Sequence, residues 1–318
     1  MFELIDVPAD LLEEARQVND AVEQMLASVP STHTLPPEQT RAARAEGRSW
    51  QGPIVHVDEA VDRTIPGPGG DIRLRTIVGE RVDAVYLHIH GGGWVLGAAD
   101  QQDVLLQRIA DGAGVAVVSV DYRLAPEHPF PAAPDDCAAA AGWVLENAAS
   151  QWGTERLLVG GESAGAHLAA LTLLRLRDRM GAPDAVAAAN LVFGAYDLSM
   201  TPSQRTWGER NLILSTPIME WFCEQFTPGM TAEERRDPWM SPLYADLSGM
   251  PPALFTVGTL DPLIDDTLFM ASRWAAAGCH AEVAVYPESP HGFHAFPTGI
   301  GRTSIAQQVD FLRGHAAG

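Results

Sequence analysis

Lysine is absent from this 318-residue sequence, so every basic side chain other than histidine is an arginine. The absence excludes a Schiff-base lysine, a Ser–Lys nucleophile pair and the lysine of a phosphate-binding loop. Basic residues are also few relative to acidic ones, 21 against 41, which gives a formal net charge of −20. Because nucleic-acid phosphates and anionic membrane surfaces both attract basic proteins, we expect neither of them as a partner.

Cysteine is scarce, and the three present, Cys137, Cys223 and Cys279, are far apart with no Cys-x-x-Cys pair among them. This spacing is typical of reduced thiols rather than of a disulfide framework. The N-terminus lacks the basic start and apolar run of a signal peptide, and no stretch reaches the roughly 18 apolar residues of a membrane span. We therefore expect a cytoplasmic protein.

Strand-like and helix-like segments alternate through most of the chain. Residues 115–120 form a continuous apolar run, which is typical of a parallel strand buried on both faces. An alanine-rich helical stretch follows at 132–149, then a short strand at 157–160 and another helix at 166–180. This alternation predicts an α/β fold with a mostly parallel sheet flanked by helices. A short strand is also expected earlier, at 54–57.

Two segments depart from this alternation and are predicted to form a helical cap. Residues 1–50 carry apolar side chains with the 3.6-residue helical period and are interrupted by prolines. Residues 196–245 are rich in aromatic residues and proline, and the segment is too long for a simple connection. The catalytic domain would then comprise residues 51–195 and 246–318.

The pentapeptide Gly161-Glu162-Ser163-Ala164-Gly165 lies between an apolar strand-like run and a helical one. This is the context of a nucleophile elbow, in which a sharp turn lifts the serine hydroxyl clear of the sheet. Glycines on both sides of Ser163 would avoid collisions in such a turn, and the N-terminus of the following helix would favour negative charge. The alternative is a glycine-flanked serine in an ordinary loop, in a chain with 29 glycines.

A second glycine-rich segment, His90-Gly91-Gly92-Gly93-Trp94, follows a strand-like run. Three consecutive glycines leave backbone N–H groups unshielded, so that they can approach a ligand. In acyl transfer, a donor placed at the developing oxyanion is worth about 100- to 1,000-fold in rate. Taken alone, the segment would favour a flexible turn, but its place after a strand and before a serine elbow favours an oxyanion loop.

The acid of a catalytic triad is expected at Asp261, which follows the apolar strand at 254–257. Open α/β sheets place their sites at the carboxyl ends of strands, and this position favours Asp261 over Asp265 and Asp266. The two rivals are expected to cap a helix that begins near Thr267.

The base is expected at His291, which comes first on the loop after the last strand and has a glycine after it. The alternative on the same loop is His294, for which packing or exposure is the simpler role. His88 and His90 share a strand face, but no further histidine or carboxylate has suitable spacing nearby, so no metal site is expected.

Ser163, Asp261 and His291 occur in the chain order of α/β-hydrolases and not of the two main serine-protease folds. From about residue 88 to 296, the sequence resembles the hormone-sensitive-lipase-like α/β-hydrolases, which are bacterial carboxylesterases of family IV. The resemblance is carried by HGGGW at 90–94, DYRLAPEHPFPA at 121–132, the serine elbow, DPL at 261–263 and HGF at 291–293.

The resemblance implies an α/β-hydrolase fold with a helical cap and no cofactor. It implies the three triad residues in the roles given above. It also implies that the backbone N–H groups of Gly92, Gly93 and Ala164 form the oxyanion hole.

Two further features follow from the resemblance. Asp121, Arg123 and Glu127 would form an ion-pair cluster that pins the loop below the site. Glu162, the residue before the nucleophile, departs from the family pattern, which more often has Asp or Thr there. A carboxylate is retained, so the departure concerns the hydrogen bonding around the elbow more than the activity.

The resulting hypothesis is a serine carboxylesterase that hydrolyses short-chain acyl esters through an acyl-enzyme intermediate. Activity would fall as the pH drops through roughly 6 to 7, where an ordinary histidine becomes protonated. Two alternatives stay open: an amidase or formamidase with the same triad and, less favoured, a non-catalytic ligand receptor. The expected partner is a small-molecule ester, and the last strand and closing helix could pair two copies into a homodimer.

Aromatic side chains are candidates for the wall of the substrate pocket, and a cap over such a pocket would limit the length of the acyl chain. Packing within the cap core is the alternative for each of them. Glu162, next to the nucleophile, is grouped with the same pocket. The candidate aromatic residues are Trp94, Trp207, Trp221, Phe222 and Phe226.

Overall fold

The computed structural model describes residues 4–49 and 52–317. Within them, eight strands form a single sheet. The strands are β1 (Val61–Gly67), β2 (Gly70–Val78), β3 (Ala84–Ile89), β4 (Val115–Asp121), β5 (Leu157–Glu162), β6 (Val186–Val192), β7 (Ala253–Leu260) and β8 (Ala281–Pro290). The α-helices are α1 (Ala9–Ala27), α2 (Pro37–Ala45), α3 (Asp103–Ala113), α4 (Ala132–Trp152), α5 (Ala164–Asp178), α6 (Pro202–Thr206), α7 (Thr216–Phe226), α8 (Ile264–Ala276) and α9 (Gly299–Ala316).

The order of strands across the sheet is β1-β2-β4-β3-β5-β6-β7-β8. The six strands from β4 to β8 in this order are parallel to their neighbours. The antiparallel pairs of this sheet are β1 with β2 and β2 with β4. The expected mostly parallel sheet is therefore confirmed. Because parallel strands end at the same edge, the loops after β3, β5, β7 and β8 meet there.

The parallel strands are buried on both faces because their side chains alternate between two hydrophobic cores. In β3, Leu87 and Ile89 belong to one core and Tyr86 to the other. Residues of α4, α5 and α8 cover the first core, and residues of α3 and α9 cover the second. Helices therefore flank both faces of the sheet, as the sequence predicts.

The two segments predicted as the cap contact each other and the rest of the molecule. Helix α1 packs against α9 and β8, and Arg16 on α1 donates to Glu288 Oε1 at 3.1 Å. A single 3-10 turn at Thr32–Thr34 contacts α7. On α2, the Arg41 guanidinium donates to the carbonyl oxygen of Val95 at 2.7 Å. The division of the chain into cap and catalytic domain stays a prediction.

Residues 54–57 do not form the expected strand, and that prediction is wrong. The N–H group of Val57 donates instead to the buried carboxylate of Asp103, at 3.0 Å from Oδ2, and β1 begins only at Val61. A side chain of α3 thus satisfies a backbone donor that a strand would have to pair with a neighbour.

The expected ion-pair cluster below the site is also wrong. Each of its three charged residues has a separate partner on a different element, namely β2, α4 or α2. The loop after β4 is therefore attached to three elements independently. The three pairs are Asp121–Arg73 at 3.0 Å, Arg123–Asp136 at 2.8 Å and Glu127–Arg41 at 2.8 Å.

Candidate active site

Ser163 stands on a sharp turn between β5 and α5, with a left-handed φ of 58°. A Cβ atom added to Gly161 would lie 2.1 Å from the carbonyl oxygen of Ile89, and one added to Gly165 would lie 1.9 Å from the same oxygen. Both glycines are therefore required by the close approach of β3 to the turn. The strained serine sits at the N-terminus of α5 with its side chain partly exposed.

Three loops at the carboxyl edge of the sheet bring the side chains of Ser163, His291 and Asp261 into contact, with His291 between the other two. His291 Nε2 lies 2.9 Å from Ser163 Oγ, and His291 Nδ1 lies 2.9 Å from Asp261 Oδ2. The other carboxylate oxygen of Asp261 accepts a hydrogen bond from Leu263 N–H at 2.8 Å. Asp261 is fully buried, and the ring of His291 packs edge-on against Phe193, with centroids 4.7 Å apart.

The two rival aspartates lie within the first turn of α8, which begins at Ile264, so the expected capping role is wrong. Asp265 Oδ2 accepts a hydrogen bond from Ser203 N–H at 2.8 Å. Asp266 is fully buried and accepts four hydrogen bonds. Its donors are Tyr196 N–H, Asp197 N–H, the Thr201 hydroxyl and the Gln204 amide, at 2.6–2.9 Å.

The rival histidine, His294, lies in the interior and stacks on Phe193, with ring centroids 5.1 Å apart and an interplanar angle of 18°. Burial lowers the pKa of His294 to about 4, so the ring is neutral at physiological pH. No hydrogen bond joins it to Ser163 or Asp261 among the described residues. Packing, the simpler role expected from the sequence, matches this position.

The glycine loop after β3 adopts a backbone that other residues would not tolerate. Gly92 has a φ of 118° and Gly93 a φ of 61°, and a Cβ atom on Gly92 would lie 2.2 Å from the carbonyl oxygen of Leu96. Within residues 4–49 and 52–317, the N–H groups of these two glycines donate to no protein acceptor. Ala164 is the first residue of α5, directly after Ser163. Free donors therefore lie on both sides of the serine turn.

Of the candidate pocket residues, Phe222 lies directly against the glycine loop. A Cβ atom added to Gly93 would lie 2.3 Å from the Phe222 ring. Trp221 is half-buried beside Phe222, with ring centroids 5.1 Å apart. Trp207 is also half-buried, and its Nε1 donates to the carbonyl oxygen of Arg210 at 2.8 Å.

Trp94 and Phe226 occupy the interior instead, which is the packing alternative. Their rings stack with centroids 4.8 Å apart, and both side chains are buried. The indole Nε1 of Trp94 donates to His167 Nδ1 at 3.0 Å, and His167 Nε2 in turn lies 2.7 Å from the carbonyl oxygen of Met240. Burial lowers the pKa of His167 to about 4, so this ring is a neutral link to the segment before β7.

Glu162 does not point into a pocket, in contrast to its grouping in the sequence prediction. Its carboxylate accepts hydrogen bonds from Gly91 N–H at 2.6 Å, from Gln102 Nε2 at 2.8 Å and from His88 Nε2 at 2.9 Å. His88 and Gln102 were missed as neighbours of the site. The available signal was the position of His88 near the end of β3, the strand that leads into the glycine loop.

Among residues 4–49 and 52–317, no group of three or more histidine, cysteine, aspartate or glutamate side chains is arranged to hold a metal ion. The two histidines of β3 and its loop make other contacts: His88 binds Glu162, and His90 Nδ1 lies 2.8 Å from the carbonyl oxygen of Gly91. Nor does any helix in the described ranges have both the length and the apolar character needed to cross a bilayer.

Known proteins share both this sequence pattern and this fold. Residues 86–295 match a family model described as the alpha/beta hydrolase fold. LipN, a carboxylic ester hydrolase of Mycobacterium tuberculosis, is 36% identical over 282 residues, which cover 86% of this chain and 74% of LipN. An ethyl acetate hydrolase of Pseudomonas putida is 35% identical over 216 residues, which cover 66% of either protein. A solved structure of a hormone-sensitive lipase from a metagenome library has a TM-score of 0.82 and 27% identity, covering 95% of this chain and 98% of that one.

The chain therefore belongs to the α/β-hydrolase family, among its hormone-sensitive-lipase-like members, and the resemblance expected from the sequence is confirmed. It is an enzyme, a carboxylic ester hydrolase, as its relatives are. An ester is accordingly its class of substrate.

Proposed function

We propose that the protein hydrolyses esters of short-chain carboxylic acids through a triad of Ser163, His291 and Asp261. The observation that carries this proposal is the position of His291, whose two ring nitrogens lie 2.9 Å from the serine oxygen and 2.9 Å from the aspartate. A base in contact with both its nucleophile and its orienting acid is the arrangement that nucleophilic acyl transfer requires.

In the first half of the reaction, neutral His291 takes the hydroxyl proton of Ser163 as the oxygen attacks the ester carbonyl. Asp261 holds the ring so that Nδ1 carries a proton and Nε2 is free to accept one. The carbonyl oxygen becomes an oxyanion, which the N–H groups of Gly92, Gly93 and Ala164 stabilise. When the tetrahedral intermediate collapses, His291 returns its proton to the leaving alcohol.

In the second half, water attacks the acyl-enzyme. His291 takes a proton from the water molecule, the same N–H groups stabilise the second oxyanion, and the carboxylic acid leaves as Ser163 regains its proton. The net reaction is ester plus water to acid plus alcohol. All of these steps use protein groups alone.

Two observations support short acyl chains. The Phe222 ring lies against Gly93, so a bulky side chain bounds the space next to the proposed oxyanion donors. A relative that is 35% identical to this chain over 216 residues is named an ethyl acetate hydrolase. We expect kcat/KM for p-nitrophenyl acetate and butyrate to exceed that for the palmitate ester. Faster turnover of the long-chain ester would contradict short-chain specificity.

The triad is tested by labelling with a fluorophosphonate, which bonds covalently to an activated serine. Mass spectrometry of the wild-type protein should find a single adduct on Ser163, and the Ser163→Ala variant should carry none and hydrolyse no ester above background. A wild type that stays unlabelled, or a labelled variant, would show that another residue is the nucleophile. Faster hydrolysis of an anilide than of the matching ester would indicate an amidase instead.

A further inference from the structure

Glu162 is a buried carboxylate directly before the proposed nucleophile, and the triad does not use it. Its exposed fraction is only 7%. The register of β3 and β5 pairs His88 with Gly160, so the side chains of His88 and Glu162 project from the same face of neighbouring strands. The hydrogen bond between His88 Nε2 and Glu162 Oε2 is 2.9 Å long.

The shortest of the three hydrogen bonds to Glu162 comes from the oxyanion loop. Gly91 N–H donates to Glu162 Oε1 at 2.6 Å. The loop also packs closely on the serine turn, since a Cβ atom added to Gly91 would lie 2.9 Å from the carbonyl oxygen of Glu162 and 3.3 Å from Ser163 Cβ. Glu162 thus joins the nucleophile turn and the oxyanion loop through a single side chain.

Gly91 is followed immediately by Gly92 and Gly93, whose N–H groups are the proposed oxyanion donors. Glycine backbones have wide conformational freedom, so a run of three needs external contacts to hold one conformation. The hydrogen bond from Gly91 N–H fixes the peptide at the start of this run. In the middle of the run, the carbonyl oxygen of Gly92 accepts hydrogen bonds from Val95 N–H and Leu96 N–H.

A buried negative charge near a developing oxyanion would oppose catalysis unless other groups offset it. Burial by itself raises the pKa of Glu162, but attraction to His88 and the hydrogen bonds from His88 and Gly91 N–H outweigh it and hold the pKa below its usual value. His88 Nδ1 lies 3.2 Å from the Ser119 hydroxyl, which fixes the ring. Gln102 completes the set of donors around the carboxylate.

We propose that Glu162 is a positioning residue for ester hydrolysis, which holds the Gly91–Gly93 loop with its N–H groups aimed at the oxyanion. This inference rests on the proposed function of Ser163 and of the Gly92 and Gly93 donors. Glu162 touches no reacting atom and acts through the loop backbone. Its contribution is therefore made in the transition state, because the ground-state ester carries no oxyanion.

Two substitutions separate the hydrogen bond from the charge. Glu162→Ala removes the acceptor for Gly91 N–H, and we expect kcat to fall about 10- to 100-fold with KM changed less than about threefold. Glu162→Gln keeps an acceptor oxygen for Gly91 N–H, and its amide can donate to His88 when Nε2 carries no hydrogen. That variant should recover kcat to within about fivefold of the wild type, since the loop keeps its acceptor.

A trifluoromethyl ketone supplies a second readout, because it forms a tetrahedral oxyanion adduct with the active serine. Its inhibition constant should rise in Glu162→Ala by the same factor by which kcat falls. All rates are to be expressed per serine titrated with the fluorophosphonate, so that misfolded protein does not count. If Glu162→Ala does not fold, Glu162→Val replaces it, because a β-branched residue suits a strand and valine offers no acceptor to Gly91 N–H.

The control is Trp274→Phe, which removes the buried hydrogen bond from Trp274 Nε1 to the carbonyl oxygen of Pro251, just before β7 and so at the edge of the sheet opposite the glycine loop. It should lower the melting temperature without changing kcat or the inhibition constant. The proposed role of Glu162 is overturned if Glu162→Ala keeps the wild-type kcat, or if its kcat/KM falls only because KM rises. Failure of Glu162→Gln to recover activity also overturns it. A wild type without esterase activity or serine labelling overturns instead the proposed function on which this role rests.

Discussion

The loop after β7 and the first turn of α8 each carry a fully buried aspartate, and the two carboxylates have different partners. Asp261 is bound by His291, at the carboxyl edge of the sheet. Asp266 is bound by four donors that all lie between residues 196 and 204, in the segment predicted as a cap insertion. One aspartate therefore contacts the proposed base, and the other attaches a segment of chain to the domain.

Position, rather than residue type or burial, therefore distinguishes the proposed catalytic carboxylate from the structural one. Asp261 follows the end of a parallel strand, where the ends of neighbouring strands supply the proposed nucleophile and base. Asp266 lies one turn further on, inside a helix, and faces the first residues after β6 instead. Within the described residues neither aspartate pairs with an arginine, and hydrogen bonds offset part of the cost of burying both side chains.

The largest expected effect is the loss of activity when the carboxylate of Asp261 is replaced. In Asp261→Asn the side chain keeps its size, but its amide would donate to His291 Nδ1 and favour the wrong tautomer, so kcat should fall by about 10⁴-fold. Steady-state hydrolysis of p-nitrophenyl butyrate measures this loss. The melting temperature should change little, because an oxygen remains to accept from Leu263 N–H. A kcat within tenfold of the wild type would exclude Asp261 as the acid of the triad.

The next largest expected effect is the loss of stability when the carboxylate of Asp266 is removed. Asp266→Ala leaves four buried donors without an acceptor, and we expect the free energy of unfolding to fall by about 3–5 kcal/mol. Urea denaturation followed by tryptophan fluorescence measures the change. Asp265→Ala is the matched control, since Asp265 is half-buried and should cost only about 1 kcal/mol. Equal losses for the two variants would show that Asp266 has no special role in attaching the segment.

The dependence of the unfolding free energy on pH gives a second test of Asp266. Burial raises the pKa of Asp266 to about 7 in the folded protein, against roughly 3.9 for an aspartate in an unfolded chain. The folded state therefore holds an extra proton in this interval, and the contribution of Asp266 to stability is lost as the pH rises from about 4 to about 7. In Asp266→Asn this loss should be absent. Parallel curves of unfolding free energy against pH for the two proteins would contradict the raised pKa.

The elements predictable from sequence are those whose signal is local. A short stretch of sequence marks each site residue. Ser163 lies between two glycines, three glycines follow a strand, and Asp261 and His291 follow the last two strands. Their common edge then follows from the parallel sheet, which the strand–helix alternation predicts.

The missed features depend on contacts between distant parts of the chain. Nothing near Asp266 in the sequence shows that residues 196–204 will direct four donors at it. Likewise, the bond between His88 and Glu162 requires the register of β3 and β5, which no local pattern specifies. The missing strand at 54–57 has the same cause, because the acceptor for Val57 N–H comes from α3.

The smallest expected effect concerns the two histidines that flank Phe193. His291 packs edge-on against this ring and binds Ser163, whereas His294 stacks on it and is kept neutral by burial, with a pKa of about 4. A ring with so low a pKa is a weaker general base near neutral pH than a ring whose pKa lies close to neutrality. His294→Phe retains an aromatic ring beside Phe193 and removes a buried Nδ1 that has no partner among the described residues.

We therefore expect His294→Phe to keep kcat within about threefold of the wild type, with an unchanged dependence of kcat/KM on pH. His291→Phe, the matched variant on the other side of Phe193, should lose activity by about 10⁴-fold or more, because the nucleophile then has no base. Stopped-flow and steady-state assays between pH 5 and 9 would compare the two. A shifted pH profile in His294→Phe would mean that stacking on Phe193 couples the two rings, and that the separation of catalytic and packing roles at this loop is incomplete.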